Sequence, residues 1–276
     1  MGMFDGKKGI ILGVANERSI AWGIAKTIMN EGGTCGFSHL PDRPDDERKR
    51  NRRRVEKCLE GYSDKVSFLM PLDVQHDDQI AAFMEKAREE LGTIDFLLHS
   101  IAFADRNDLQ GETIDTSRSG FHLAMDISVY SFLAATAGAK ELLAEGASVC
   151  CMTYLGGERC VPGYNVMGIC KAALDATTRY LAYDLGPKNV RVNAISAGPL
   201  KTLAGSAAGV GDMLKLYQRM APLQRNITLD EVGQVGAFLL SDRASGITGD
   251  IIHVDAGYHM MGSPGRLLDG FKDSLK

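Results

Sequence analysis

Tyr164 and Lys171 lie seven residues apart, at the start of a segment whose sequence predicts a helix over 165–185. Seven residues are close to two helical turns, since a turn takes about 3.6 residues, so both side chains can share one face. A nearby ammonium favours the phenolate and lowers the pKa of a phenol from its free value of about 10. The pair therefore suits chemistry in which a substrate oxygen gains negative charge, as in hydride transfer. An amphipathic helix could also carry these two residues by chance.

The elements that would position this pair alternate along the chain between strand-like and helix-like segments. This alternation predicts parallel βαβ units joined by right-handed crossovers. We expect an α/β fold with a doubly wound, seven-stranded parallel sheet of the Rossmann type, in a single domain over residues 1–276. The predicted strands are 9–14, 34–39, 66–72, 94–100, 147–153, 190–196 and 251–254, and the predicted helices are 19–31, 77–91, 121–143, 165–185 and 230–240.

A glycine turn after the first predicted strand indicates where a dinucleotide would bind. Gly13 can make the tight turn, and the amides of Ser19 and Ile20 at the next helix start can bind phosphate. Gly23 would let the helix approach the strand closely. The GxGxxG spacing is absent, so the prediction depends on the position of this loop between the first strand and the first helix.

The end of the second predicted strand leaves the choice between NADH and NADPH open. An acidic residue usually holds the ribose 2′-hydroxyl of NAD there, but residues 37–41 have no carboxylate and Asp42 is the nearest. Five arginines lie between residues 48 and 54. They could bind a 2′-phosphate, because guanidinium groups bind phosphate bidentately, or they could form a solvated helix face.

Two further strand ends are candidates for cofactor contacts. Asp73 and Val74 follow the third strand and could reach the adenine, although Asp73 could equally be a turn residue. Ser100 and Ile101 follow the fourth strand. Both pairs are expected at the carboxyl edge of the sheet, where ligands bind in open α/β folds.

Tyr154, Tyr164 and Lys171 follow one another at intervals of ten and seven residues. This pattern resembles the active-site segment of the bacterial-type enoyl-acyl-carrier-protein reductases, which are divergent members of the short-chain dehydrogenase superfamily. Further similar segments occur in the same order, at 13–21, 100–104, 191–204 and 253–257. The resemblance therefore covers nearly the whole chain.

The resemblance implies the reduction of trans-2-enoyl thioesters on acyl carrier protein, the last reductive step of type II fatty-acid elongation, with NADH or NADPH as hydride donor. Its catalytic residues would be Tyr164, which stabilises the enolate oxygen, Lys171, which binds the nicotinamide ribose, and Tyr154, which shapes the acyl pocket and assists. The other implied cofactor contacts are Gly13, Ser19, Ile20, Asp73, Val74, Ser100, Ile101, Ala102, Leu200 and Thr202, and the implied substrate contacts are Phe103, Tyr154, Met167 and Ala204. No metal site is expected.

Two other functions would suit the same fold, because fold alone does not establish activity. A carbonyl-reducing short-chain dehydrogenase would have Lys four residues after Tyr164, where Gly168 stands, and Ser thirteen residues before it, where Cys151 stands. A dinucleotide-binding sensor without catalysis would not need Tyr164 and Lys171 together.

Ala102 departs from the pattern of similar enzymes, which often have Gly there. Its methyl group is expected to crowd the pocket beside the nicotinamide and to weaken the binding of diphenyl-ether inhibitors.

Composition and charge narrow the remaining classes of function. The net charge of −4 gives no electrostatic case for a general nucleic-acid binder, and no apolar run approaches the roughly 18 residues that a membrane helix needs. With six cysteines in no CxxC pair and no secretory signal, we expect a cytoplasmic protein whose cysteines are mostly buried.

Small residues in the stretch 201–223 predict a mobile substrate-binding loop, with a fixed pair of surface helices as the alternative. The resemblance implies a homotetramer.

Overall fold

The computed structural model describes residues 2–202 and 210–268. Within them, seven strands form one parallel sheet in the order β3-β2-β1-β4-β5-β6-β7, which confirms the expected doubly wound fold. The strands are β1 Lys8–Leu12, β2 Thr34–His39, β3 Val66–Pro71, β4 Ile94–His99, β5 Leu143–Thr153, β6 Arg191–Ala197 and β7 Ile251–Val254.

Helices cover both faces of this sheet. Because successive strand residues point to opposite faces, Ile11 of β1 packs in the apolar cluster under the first and last helices, while Ile10 and Leu12 pack in the cluster on the other face. The helices are α1 Ile20–Asn30, α2 Arg50–Leu59, α3 Asp77–Leu91, α4 Arg118–Met125, α5 Ser131–Ala139, α6 Asn165–Leu185, α7 Val210–Met220 and α8 Leu229–Leu240. None of the described helices is both long enough and apolar enough to cross a membrane.

The prediction of one continuous helix over 121–143 is wrong. The helical segment begins at Arg118, where the Ser117 side chain accepts a hydrogen bond from the Gly120 amide, and a π-helical turn over Asp126–Tyr130 separates α4 from α5. Leu143 belongs to β5, which was expected only from residue 147. The reason is Gly146, which has φ +80° and lies where the pairing of β4 with β5 shifts register, so it forms an irregularity inside the strand and not a turn before it.

The charged segment 42–57 contains most of α2. Val55, Cys58 and Leu59 are the buried residues of this helix, and its arginines face outward, as the interpretation of a solvated helix face predicts. Asp42 accepts hydrogen bonds from the backbone amides of Asn51 (2.6 Å) and Arg52 (3.4 Å). The carboxylate nearest the end of β2 in the sequence is thus engaged with the first turn of α2.

Candidate active site

Two tyrosines lie in contact beside a short turn at the end of β5. Tyr154 follows β5 directly and Tyr164 precedes α6, and their rings meet edge to face with centroids 4.9 Å apart. The 3-10 turn Leu155–Gly157 lies against this pair. A Cβ on Gly156 would come within 2.5 Å of the Tyr164 ring, so only glycine lets the turn approach so closely.

Tyr164 remains protonated in this setting. Burial, and then the neighbouring Tyr154 and Cys170, raise the pKa of its phenol above the ordinary value of 10. The expected lowering of this pKa by Lys171 is therefore wrong: Lys171 is not among the groups that shift the pKa of Tyr164, and every group that does shift it raises it. Among the residues that the structure describes, none forms a hydrogen bond with the Tyr164 hydroxyl, so a neutral donor is available to a ligand.

Lys171 lies at the carboxyl edge of the sheet, as the sequence predicts. Its side chain is 5% exposed, and its Nζ donates a hydrogen bond of 2.8 Å to the backbone carbonyl of Met152 near the end of β5. Burial lowers the pKa of Lys171, while Cys151, Cys170 and Asp175 act in the opposite direction. With one acceptor within the described ranges, the ammonium retains two N–H donors for a ligand.

His99 ends β4 next to this ammonium. Its Nε2 lies 2.8 Å from the Ser131 hydroxyl, and that hydroxyl donates to the carbonyl of Ile127 at 2.6 Å. Nε2 therefore carries the ring proton, and Nδ1 is an unprotonated atom with no partner in the described part of the chain. Burial, and secondarily the charge of Lys171, lower the pKa of His99 to about 3, so this imidazole is neutral at physiological pH.

The loop between β1 and α1 fits a pyrophosphate. Gly13 has φ +102°, and a Cβ there would overlap the carbonyl oxygen of Ser100, so glycine is required on both counts. The Ser19 hydroxyl accepts hydrogen bonds of 2.9 Å from the amides of Ala15 and Asn16 and so fixes the loop. The first turn of α1 has no acidic residue, and the Ile20 amide has no acceptor among the described residues, which leaves it to an anion. The Ser19 amide, also expected to bind phosphate, instead donates to the Asn16 carbonyl at 3.0 Å.

Gly23 has a different role from the one expected. A Cβ at this position would come within 2.7 Å of Leu229, which begins α8. The glycine therefore allows α1 to pack against α8, and the proposed close approach of α1 to β1 is wrong.

The remaining candidate residues are spread along the same edge. Asp73 accepts a hydrogen bond from the Gln75 amide at 3.1 Å, as expected of a turn residue, which was the alternative to an adenine contact. Val74 is buried in the core. Ser100 and Ile101 are half-buried, and Ala102 and Phe103 are exposed just beyond them.

The expected substrate contacts differ in accessibility. Phe103 is 49% exposed, whereas Met167 is 6% exposed and packs with Ala124 and Val129 between α6 and α4–α5. Leu200 and Thr202 are half-buried, and Leu200 borders a cleft of about 600 Å³ against α7. Ala204 lies outside the described residues, as does the stretch 203–209 of the predicted loop.

Sequence comparison assigns this site to a family. A family model described as enoyl-(acyl carrier protein) reductase matches residues 13–259. The enoyl-[acyl-carrier-protein] reductase [NADH] FabI of Nostoc sp. is 48% identical over 258 residues, which cover 93% of this chain and 98% of the relative. The chain belongs to the enoyl-acyl-carrier-protein reductase family.

Other family members support the same placement. The enoyl-[acyl-carrier-protein] reductase [NADPH] FabI of Staphylococcus aureus (strain MRSA252) is 47% identical, over 92% of this chain and 97% of the relative. A crystal structure of the Bacillus cereus reductase with NADP+ and indole naphthyridinone matches with a TM-score of 0.88 at 46% identity, covering 95% of this chain and all of that one. The reductase from Anaplasma phagocytophilum in complex with NAD matches with a TM-score of 0.87 at 40% identity, covering 96% of each chain.

Two residues of this enoyl reductase site escaped the sequence analysis. Ser128, in the π-helical turn, accepts from the Phe103 amide and donates to the Phe103 carbonyl, both at 3.0 Å. It thereby fixes the loop after β4. The hydroxyl of Tyr217 in α7 lies 2.7 Å from that of Tyr154. Neither residue has a sequence signal, because each contact joins segments far apart in the chain.

Proposed function

We propose that this chain reduces trans-2-enoyl thioesters carried on acyl carrier protein, with NADH or NADPH as reductant, in the last reductive step of type II fatty-acid elongation. The observation that supports this most is the protonated Tyr164, whose hydroxyl has no hydrogen-bond partner among the described residues, just before the helix that carries the buried Lys171. Tyr164 packs on Tyr154 at the end of β5, and the Lys171 ammonium bonds the Met152 carbonyl near the same strand end. That arrangement offers one donor for a substrate oxygen and one cation for the cofactor.

Tyr164 stabilises the charge that forms on the substrate. A bound reduced nicotinamide supplies a hydride, and addition at C3 of the enoyl thioester moves negative charge to the thioester oxygen. The neutral phenol of Tyr164 donates a hydrogen bond to that oxygen. Because this phenol is largely buried, the donor is worth more than it would be in water.

Lys171 holds the cofactor. Its bond to the Met152 carbonyl orients the ammonium, and its two other N–H groups donate to the nicotinamide ribose hydroxyls. We assign the remaining proposed contacts as the sequence predicts them, with Phe103, Tyr154 and Met167 on the acyl side. The proposed cofactor contacts are Gly13, Ser19, Ile20, Asp73, Val74, Ser100, Ile101, Ala102, Leu200 and Thr202.

Both NADH and NADPH are proposed to act as hydride donors. Asp42, the carboxylate nearest the end of β2 in the sequence, is engaged with the amides of Asn51 and Arg52, which weakens its repulsion of a 2′-phosphate. Relatives of nearly equal identity are named for NADH and for NADPH.

The experiment that tests this function follows nicotinamide absorbance with crotonyl-CoA and acetoacetyl-CoA, using NADH and NADPH in turn. We expect oxidation of the cofactor with crotonyl-CoA and not with acetoacetyl-CoA. Tyr164→Phe should lower kcat by about a hundredfold or more, the scale for removing one oxyanion donor, while cofactor binding stays the same. A faster rate with acetoacetyl-CoA would favour carbonyl reduction, and full turnover by Tyr164→Phe would refute the role of its phenol.

We also propose that the chain acts as a homotetramer in the cytoplasm. An assembly is supported by large apolar side chains that are exposed to solvent in the single chain. They lie on the outer faces of α4, the π-helical turn, α5 and α6. These are Phe121, Tyr130, Leu133, Ile169, Tyr180 and Tyr183. Six free cysteines agree with a reducing compartment.

A further inference from the structure

Tyr217 brings a second buried phenol to the candidate active site. Its side chain is 4% exposed, and its hydroxyl lies 2.7 Å from the hydroxyl of Tyr154. Within the described ranges Tyr217 has no other hydrogen-bond partner, so its proton points to Tyr154 whenever Tyr154 donates elsewhere.

The ring of Tyr217 is held in place from its other side. It stacks on Tyr258 with centroids 3.7 Å apart and planes 14° from parallel. Tyr258 lies in the turn after β7, where Asp255 accepts hydrogen bonds from the amides of Gly257 (3.0 Å) and His259 (2.8 Å). The hydroxyl of Tyr217 is thus fixed relative to the end of β7.

This contact matters because the substrate needs a proton as well as a hydride. After hydride addition at C3, the electron pair of the former C2–C3 double bond lies on the enolate, and C2 must gain one proton. Tyr164 is engaged with the thioester oxygen in the proposed function. Tyr154, whose ring contacts that of Tyr164, is the adjacent phenol that can supply this proton.

We infer that Tyr217 is a positioning residue that donates its hydroxyl proton in a hydrogen bond to Tyr154, so that Tyr154 can transfer its own proton to C2 of the substrate. The Tyr154 O–H bond breaks, a C2–H bond forms, and the phenolate left on Tyr154 is stabilised by the Tyr217 hydroxyl until water returns a proton. This inference rests on the proposed function, in which Tyr154 faces the acyl thioester.

The electrostatics of the pair agree with this direction of the hydrogen bond. Burial raises the pKa of Tyr154 to about 12, and the hydrogen bond from Tyr217 acts against that rise. Burial and the neighbouring Tyr154 raise the pKa of Tyr217 further. Tyr154 therefore gives up a proton more easily than Tyr217 does.

The decisive variant is Tyr217→Phe, which keeps the stacked ring and removes only the hydroxyl. We expect kcat with crotonyl-CoA to fall about tenfold, the order expected for one hydrogen bond to a charged group, with both KM values within twofold of wild type. Protonation of C2 then limits the rate, so the isotope effect from deuterated NADH should fall and the solvent isotope effect should rise. A displaced but chemically idle tyrosine would not move the two isotope effects in opposite directions.

Two further variants complete the test. Tyr62→Phe is the matched control, because it also removes a tyrosine hydroxyl bond, to Asn30 at 3.1 Å, and it should behave as wild type. Tyr154→Phe should lower kcat, and adding Tyr217→Phe to it should cause no further loss, since residues that act through one another are not additive.

The outcomes separate this inference from the proposed function. If Tyr154→Phe is impaired but Tyr217→Phe keeps wild-type kcat, or if the two losses simply add with unchanged isotope effects, the role of Tyr217 is overturned alone. If Tyr154→Phe and Tyr164→Phe both turn over as wild type does, the proposed residue roles fail, and the role of Tyr217 fails with them.

Discussion

The buried polar side chains of the site divide the chemistry by their protonation states. Tyr164 stays a neutral donor because burial raises its pKa, and His99 stays a neutral imidazole because burial lowers its pKa to about 3. Burial also lowers the pKa of Lys171, whose charge acts on His99. In each case desolvation is the first cause, so the site depends on being dry.

The acid stability of the protein should follow His99. Above pH 6.5, the ordinary pKa, this imidazole is neutral in both folded and unfolded chains. As pH falls from 6.5 towards 3, the imidazole is protonated in the unfolded chain but stays neutral in the folded chain. The free energy of unfolding therefore falls by up to about 1.4 kcal/mol per pH unit. His99→Gln, which can still reach Ser131, should lose less melting temperature between pH 7 and pH 5 than wild type does.

The control for this pH series is His76→Gln, at an exposed histidine. It should reproduce the wild-type dependence. An equal loss of melting temperature in wild type and in His99→Gln would show that His99 does not set the acid limit.

Ala102 should govern inhibitor affinity. It is exposed at the carboxyl edge of the sheet, next to the half-buried Ile101, where an added methyl group narrows the space beside the proposed nicotinamide position. Ala102→Gly should therefore bind a diphenyl ether more tightly, by several-fold to about tenfold for one methyl clash, as measured by the inhibition constant with saturating cofactor. An unchanged constant would remove the steric explanation.

At the level of elements, the turn Leu155–Gly157 sets the position of Tyr164. Asn165 follows with φ +41°, a conformation that asparagine tolerates better than most residues, so the backbone changes direction at the start of α6. The site is thus built where β5 ends, where the turn packs and where α6 begins.

Gly156→Ala should disturb this element and little else. The added Cβ would lie 2.5 Å from the Tyr164 ring, so the ring must move away from its position. We expect kcat to fall by about tenfold or more, since small misplacements of catalytic groups are costly, while circular dichroism shows the fold retained. Gly186→Ala, at the C-terminal end of α6, places its new Cβ with no atom within 4 Å and should keep wild-type kcat. Equal activity of the two variants would contradict the positioning role of Gly156.

The extent of sequence prediction can be judged element by element. Tyr164 and Lys171 were predicted because their spacing is local, and Tyr154 was predicted from the resemblance to the family segment. The parallel sheet was predicted because strands and helices alternate. The π-helical turn with Ser128, the bulge at Gly146 and the contact of Tyr217 with Tyr154 were not predicted. They depend on tertiary contacts over 25 residues or more or on a backbone irregularity that apolar spacing does not encode.

The direction of the Tyr164 pKa was missed for a related reason. The seven-residue spacing suggested that Lys171 would lower the pKa of Tyr164, but Lys171 bonds the Met152 carbonyl of β5 while Tyr164 packs on Tyr154. Only the folded structure shows that these two side chains contact different groups.

At the scale of the whole molecule, the exposed apolar side chains on the outer faces of α4–α6 predict assembly. Leu133 is 43% exposed, and a buried carboxylate at a subunit contact would carry a large desolvation cost. Leu133→Glu should therefore sediment as a smaller species than the wild-type tetramer. Leu40→Glu, at a position 62% exposed just after β2 and outside α4–α6, should sediment as wild type does. A monomeric wild type would refute the assembly.

The central claim is that Tyr164 meets the substrate oxygen while Lys171 meets the cofactor ribose. A crystal structure with oxidised cofactor and an enoyl thioester that cannot turn over in that state measures both contacts directly. The account predicts a Tyr164 hydroxyl about 2.7 Å from the thioester oxygen, and a Lys171 Nζ about 2.9 Å from a ribose hydroxyl. A thioester oxygen turned away from Tyr164, or a ribose beyond the reach of Lys171, would contradict it.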